Sequence, residues 1–236
     1  MKGTFPKKIP HLSEEQLKIK KDFYSFWLQK LRKSYGIVDY FNHNFVVRNS
    51  KDHFETTLEI GAGIGEHLNY EKLTTIQKRN YYALDSSEIL LDQLSSEQQE
   101  INAVLGDCQK TFNFEDNYFD RVIAIHILEH LNNLPETIKE VHRTIKSDGQ
   151  FLVVIPCEGG LAYSIAREIS AKRHFKKRYN MSYDWHIKSE HLNYPNEIIY
   201  EIEKKFYITK KSFFPLFLPL IFCNLCIGLV LQKKIL

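Results

Sequence analysis

Apolar and polar positions along the chain follow two alternating periods. Ser13-Glu-Glu-Gln16 has the form of a capping box. After it, Leu17, Phe23, Phe26, Trp27, Leu31 and Tyr35 recur at helical spacing, which predicts one amphipathic helix ending before Gly36. Its lysines, Lys18, Lys20, Lys21, Lys30 and Lys33, are expected on a solvated face, and the basic, proline-containing residues 1–12 read as a loose arm. Further on, short apolar runs predict strands at Leu58–Ile60, Tyr81–Leu84, Ile101–Leu105, Arg121–Ile125, Phe151–Ile155, Tyr207–Lys211 and Leu225–Gln232. Between them lie helical stretches. One runs through Ile89, Leu91 and Leu94; a second passes Ile138, Val141 and Ile145 and stops at Ser147-Asp148-Gly149; a third holds Ile198, Ile202 and Phe206. Strands and helices alternating in this way require a largely parallel sheet covered by helices, an α/β fold.

The turn after the first strand carries three glycines at alternate positions, Gly61, Gly63 and Gly65. A glycine turn between strand and helix lets the backbone approach a ligand closely. A dinucleotide fingerprint would need a glycine at position 66, where Glu66 stands, and Glu59 suits a cationic group better than a pyrophosphate. Asp85 follows about twenty residues beyond, where a carboxylate can hold two ribose hydroxyls.

A length of 236 residues fits a single domain, and a formal charge of +3 is too small to indicate a nucleic-acid partner. Cys223 and Cys226 form one C-x-x-C, but Phe222, Leu225 and Ile227 around it favour buried free thiols over a redox or zinc pair. Without an apolar leader at the N-terminus, a cytoplasmic location is expected. Residues 213–231 carry no charge, but Pro215, Pro219, Asn224 and Gly228 interrupt them. They are read as core rather than as a membrane span. Within them, 213–222 is expected to line an acceptor pocket or to touch a bilayer peripherally.

Glu59-Ile-Gly61-Ala-Gly63-Ile-Gly65 resembles motif I, E/D-x-G-x-G-x-G, of the class I S-adenosylmethionine-dependent methyltransferases. Phe119, Asp120 and Val122 match that family's F-D-x-V, and Leu128-Glu129-His130 is similar to its L-E-H signature, giving a methyltransferase-11 type. The resemblance implies a Rossmann-like three-layer sandwich. Its mostly parallel seven-stranded sheet would have an antiparallel last strand inserted beside the fifth. An N-terminal helical cap over residues 1–50 and a substrate lid over 156–195 would complete a single domain spanning 1–236. It also implies S-adenosyl-L-methionine as cofactor, held by Glu59, Gly61, Ala62, Gly63, Asp85, Ser86, Asp107, Cys108 and Ile125. Asp107 would bond the adenine amine and the next backbone amide a ring nitrogen.

His126-x-x-Glu129-His130 is also the spacing of a zinc peptidase, but it directly follows a buried strand in a βαβ series, which disfavours a hydrolase. Some relatives bind a divalent cation through E-x-x-E-H. Glu129 and His130 match that pattern and His126 replaces its first glutamate, so metal-assisted transfer through His126, Glu129 and His130 stays open as the alternative. Otherwise His126 is the candidate catalytic residue, since an imidazole can deprotonate or orient an acceptor, and no metal is assigned.

The acceptor is expected between Pro156 and Pro195, at the carboxyl edge of the sheet. Tyr163, Arg167, Arg173, Arg178, Tyr179 and His191 interleave cations with aromatic rings, which favours a small, anionic or sugar-containing acceptor. The family resemblance extends loosely to proteins of surface-polysaccharide gene clusters. A non-catalytic S-adenosylmethionine-binding module is the other alternative, and the elaborate insertion disfavours it.

Overall fold

The structure, a computed structural model, describes residues 3–28 and 36–235. Helix α1 (Glu14–Phe26) starts at the foreseen capping box, in which Ser13 Oγ accepts from the Gln16 amide and the Gln16 side chain returns to the Ser13 amide. Helix α2 (Gly36–Asn49), which the spacing did not foresee, comes next among the described residues. Leu31, Tyr35, Lys30 and Lys33 lie outside the described residues.

Strands and helices then alternate as β1 (Thr57–Ile60), α3 (Thr75–Arg79), β2 (Tyr81–Asp85), α4 (Glu88–Glu97), β3 (Asn102–Leu105), β4 (Phe119–Ile125), α5 (Leu134–Thr144) and β5 (Ile145–Pro156). An insertion of α6 (Leu161–Arg167), a π turn (Glu168–Lys172), α7 (Arg173–Tyr179) and α8 (Asp184–Glu190) comes next. The chain closes with α9 (Pro195–Glu203), β6 (Phe206–Phe214) and β7 (Cys226–Lys233). The sheet order is β3-β2-β1-β4-β5-β7-β6, with β7 antiparallel to both neighbours. This is the mostly parallel seven-stranded sandwich that the resemblance implied.

Ile145 does not extend the helix before it. It is fully buried opposite Phe119, and the register then jumps to Arg121 opposite Gln150, so β5 opens with a bulge where a helix end was expected. Phe206 likewise begins β6 rather than ending α9. The arm is not loose throughout. Phe5 packs against the main core, and Lys7 Nζ meets Glu197 Oε2 at 2.6 Å on α9. Nor is the lysine face of α1 wholly solvated, because Lys20 pairs with Glu190 at 2.8 Å.

The two faces of the sheet are covered differently. Leu58, Ile60, Val122 and Phe151 pack under α5 and α9 through Ile138, Val141, Ile198 and Ile202. On the other face, Ile123, Leu152, Val154 and Val230 pack under Phe45 and Val46 of α2. Among the described residues no helix is long and apolar enough to cross a membrane. Residues 226–231 are buried strand, as read from the sequence.

Helix α2 can lie flat on β7 only because Gly228 has no side chain, since a Cβ there would sit 2.6 Å from the Phe45 ring. Gly228→Ala should therefore lower the urea midpoint by the equivalent of about 1–3 kcal/mol. Gly36→Ala, where nothing lies within 4 Å, should leave it unchanged. Equal midpoints for Gly228→Ala and wild type would contradict this packing.

Candidate active site

The glycine turn sits at the carboxyl end of β1. Gly61, Gly63 and Gly65 all have left-handed φ, 70°, 57° and 79°. At Gly61 a Cβ would also lie 2.7 Å from Ile127 Cγ1, whereas at Gly63 nothing but Glu66 Oε2 comes within 4 Å, at 3.6 Å. The Gly63 backbone is therefore open for a ligand to approach. Its amide donates to Asp85 Oδ2 at 2.9 Å, and Asp85 Oδ1 accepts from the Ser87 amide at 2.9 Å. Asp85 thus clamps the turn to the end of β2 and keeps lone pairs for further donors. Ser86 beside it is exposed and Ala62 is buried. Asp107, just beyond β3, binds the Gln109 amide through Oδ1 at 2.9 Å. Cys108 is buried and burial pushes its thiol up to about 12, so it is neutral. Ile125, half-buried, ends β4 on the same edge.

Glu59 is buried in β1 and its Oε2 accepts from Tyr81 Oη at 2.7 Å. Burial pushes its carboxyl up to about 8, the Tyr81 bond opposes this, and Glu66 and Glu71 reinforce it. Behind it runs a network that pattern reading missed. Arg121 is fully buried on β4 and pairs with Glu71 Oε1 at 2.7 Å. Glu71 meets His67 Nε2 at 2.9 Å, and His67 Nδ1 lies 3.3 Å from His43 Nδ1 on α2. An arginine inside an otherwise apolar strand was the available signal, since a buried guanidinium needs a carboxylate partner.

After β4 the chain turns abruptly. His126 takes a left-handed φ of 50°, and a single 3-10 turn (Leu128–His130) follows. The H-x-x-E-H string therefore spans a turn rather than one helical face. Glu129 is buried, and its Oε1 faces His126 Nδ1 at 3.2 Å and His130 Nε2 at 3.8 Å. Burial alone would raise this carboxyl, but the His126 hydrogen bond and the fields of His130 and His191 outweigh it and hold it at about 2. The imidazoles thus surround an ionised glutamate, whose Oε2 has no partner. The other His126 nitrogen, Nε2, lies 3.8 Å from Cys226 Sγ.

The insertion returns to this turn. The Leu192 and Asn193 amides donate to Glu129 O, and Asn193 Nδ2 donates to Leu128 O and Leu131 O at 2.8 and 2.6 Å. Of the residues expected to face the acceptor, Tyr163, Arg167 and His191 come together around Glu158. Arg167 Nη1 contacts both Glu158 oxygens at 2.7 Å, His191 Nδ1 contacts Oε2 at 2.7 Å, and the Arg167 guanidinium lies 5.5 Å from the Tyr163 ring centre. The His191 ring is 5.0 Å from that of His130, which joins this cluster to the Glu129 turn. Arg178 and Tyr179 are engaged elsewhere, on Asp22 of α1, and the same helices share a small core in which Phe23 meets Phe175 edge-on at 5.0 Å. That pair ties the insertion to α1, and Arg173 is exposed. Glu158, the hub, could have been noticed from its place just past β5 at the carboxyl edge. For a metal, Glu129, His130 and His191 offer ligand atoms within 4.8 Å of one another, so His191 rather than His126 completes the set.

Residues 58–153 match the family model described as a methyltransferase domain. Residues 58–153 thus resemble a methyltransferase domain. Over 99 residues it is 30% identical to human mitochondrial arginine-hydroxylase NDUFAF5, covering 42% of this chain and 28% of that protein. Over 88 residues it is 33% identical to sterol 4-C-methyltransferase strm-1 of Caenorhabditis elegans, covering 37% and 25%. The chain therefore spans about a quarter of the length of these relatives. Among solved structures, a SAM-dependent methyltransferase from Archaeoglobus fulgidus aligns with TM-score 0.66 over 89% of this chain and 99% of that one, at 18% identity. The cyclase SpnF aligns with TM-score 0.64 over 97% and 99%, at 12% identity. At such identities the likeness is one of fold.

The residues present fit S-adenosylmethionine, the cofactor that the family resemblance implied. The open Gly63 backbone admits a ligand, Asp85 has acceptor capacity left for ribose hydroxyls, and Asp107 can receive an adenine amine. Glu59 lies buried near Glu66, Glu71 and Arg121, and the two glutamates and the arginine act on its carboxyl in opposite directions.

Because burial raises Glu59, its neutral form favours folding. That contribution is complete below the unfolded carboxylate value near 4.5 and is lost as pH rises through about 8. Ligand-free Glu59→Gln should therefore gain on wild type between pH ~5 and ~8.5, by on the order of a few kcal/mol, in paired thermal melts. Parallel pH profiles would contradict this.

Proposed function

We propose that the chain is a methyltransferase that moves a methyl group from S-adenosylmethionine to an oxygen or nitrogen of a small, anionic or sugar-containing acceptor. The fold is shared with proteins named as a hydroxylase and a cyclase, so the reaction must be argued from the site. One observation carries the reading: His126, fixed by the ionised Glu129, stands at the end of β4, and Ile127 beside it packs on Gly61 of the cofactor turn. A proton-accepting group is thereby placed next to the donor site.

S-adenosylmethionine, when bound, supplies an electrophilic methyl group on a sulfonium. The chain's own residues do the rest. Glu129 holds His126 Nδ1, so Nε2, which lies 3.8 Å from Cys226 Sγ, is the nitrogen that would take the acceptor's proton. Arg167 uses only Nη1 on Glu158, so Nε and Nη2 remain for an anionic group, and the Tyr163 ring provides a face for a sugar. The inserted helices and the Asn193 staple cover the turn and exclude water. Nucleic acid is disfavoured by the small net charge. Acceptors from surface-polysaccharide synthesis are the first to try.

A second reading is favoured by the Glu129, His130 and His191 cluster. His130 Nδ1 is held by Glu190 O at 2.8 Å and His191 Nδ1 by Glu158, which leaves each Nε2 for a cation, and Glu129 Oε2 is unpartnered. A divalent ion there would orient the acceptor in place of a base.

Transfer of labelled methyl groups to cell-extract fractions tests both readings. Wild type should label a small molecule, and His126→Gln should lose about 10²–10⁴-fold in rate while still binding S-adenosylhomocysteine. Full activity in His126→Gln would remove the proton-transfer role, and activity unaffected by chelators would remove the metal.

A further inference from the structure

The segment between β6 and β7 is built inside out. Leu216, Phe217, Leu218, Leu220 and Phe222 are 52, 70, 52, 55 and 64% exposed. Several of its polar backbone groups, by contrast, are satisfied from within. Asn224, fully buried beneath the loop, accepts from the Leu216 amide through Oδ1 at 2.9 Å. Its Nδ2 donates to Leu218 O and Leu220 O at 2.9 and 2.8 Å. The Phe217 amide donates to Phe213 O and the Leu220 amide to Leu218 O. Phe217 even adopts a left-handed φ of 55°, a strained conformation for a bulky residue, with its ring turned to the surface. A water-facing loop of this length would normally show polar side chains outward.

This arrangement suits an occupant that offers no hydrogen bonds at all. Protein interfaces carry about one hydrogen bond per 100–200 Å², whereas hydrocarbon supplies none and demands a backbone already satisfied. Two further features agree. Gly160, at the start of α6, approaches Ile221 O so closely that a Cβ would lie 2.5 Å from it, and α6 carries Leu161 and Ile165 half-exposed on one face beside the loop. Lys210 and Lys211 are exposed on β6, about 10–15 Å behind the loop at a strand's rise per residue. Apolar side chains of a peripheral segment enter the headgroup boundary by about 5–10 Å, which leaves both lysines on the headgroup side of it.

We propose that residues 215–223 dock the protein peripherally on a bilayer containing anionic lipid. Both β6 and the α6 end of β5 leave the sheet at its carboxyl edge, so docking turns the acceptor site toward the membrane surface. That the acceptor is itself lipid-borne rests on the methyltransferase reading; the docking does not.

Sedimentation with vesicles, in the absence of any methyl donor, separates the two. Wild type should pellet with phosphatidylcholine vesicles containing about one-third phosphatidylglycerol. Phe217→Ser/Phe222→Ser should pellet about tenfold less while retaining the wild-type melting temperature and S-adenosylhomocysteine binding. Lys210→Glu/Lys211→Glu should lose the preference for anionic vesicles. Wild type remaining in the supernatant with every vesicle, or equal pelleting of the double serine variant, would overturn the proposal. So would self-association abolished by the serine pair without vesicle binding, which would assign the patch to a second protein molecule.

Discussion

The hydrogen bond from the Gly63 amide to Asp85 Oδ2 holds the site together. It joins the turn after β1 to the end of β2, two strands already in parallel register, and so converts a flexible glycine turn into a fixed concave edge. The left-handed φ values at Gly61, Gly63 and Gly65 make that turn possible, and Ile127 leaning on Gly61 brings the next strand's loop to its rim. A side chain at Gly61 would displace Ile127 and with it the His126 turn. The glycine turn and the His126 turn are therefore linked through Ile127, with no room for a side chain at Gly61.

Two buried glutamates flank that contact in opposite protonation states. Glu59 has one hydroxyl partner and acidic neighbours, and burial pushes it up to about 8; Glu129 has three imidazoles around it and is held at about 2. The first is kept neutral by burial despite the nearby Arg121. The second is already balanced and acts by holding His126 and His130 in place. On the proposed function, this separation would let a charged donor and a proton transfer share one edge of the sheet.

Much of this was legible in the sequence because it rests on local chemistry. Short apolar runs marked the strands, the alternate glycines marked the turn, and Asp85 and Asp107 fell at strand ends. What stayed hidden depends on contacts between distant segments. Helix α2 was lost because it is amphipathic only through its packing on Gly228 and through His43 against His67. The bulge that turns Ile145 into a strand residue comes from Phe119 across the sheet. Arg178 and Tyr179 look like substrate residues in one dimension, yet in space they hold Asp22. Glu158 could be marked only by its place past β5, and its part as a hub depends on Arg167 and His191 converging on it.

The most direct measurement is a calorimetric titration of the folded, metal-free protein with S-adenosylhomocysteine. A single site is predicted, weakened at least about tenfold in Asp85→Asn, because one hydrogen-bond partner loses its charge. No heat of binding from wild type that melts cooperatively would contradict the assignment of the glycine turn as an S-adenosylmethionine site.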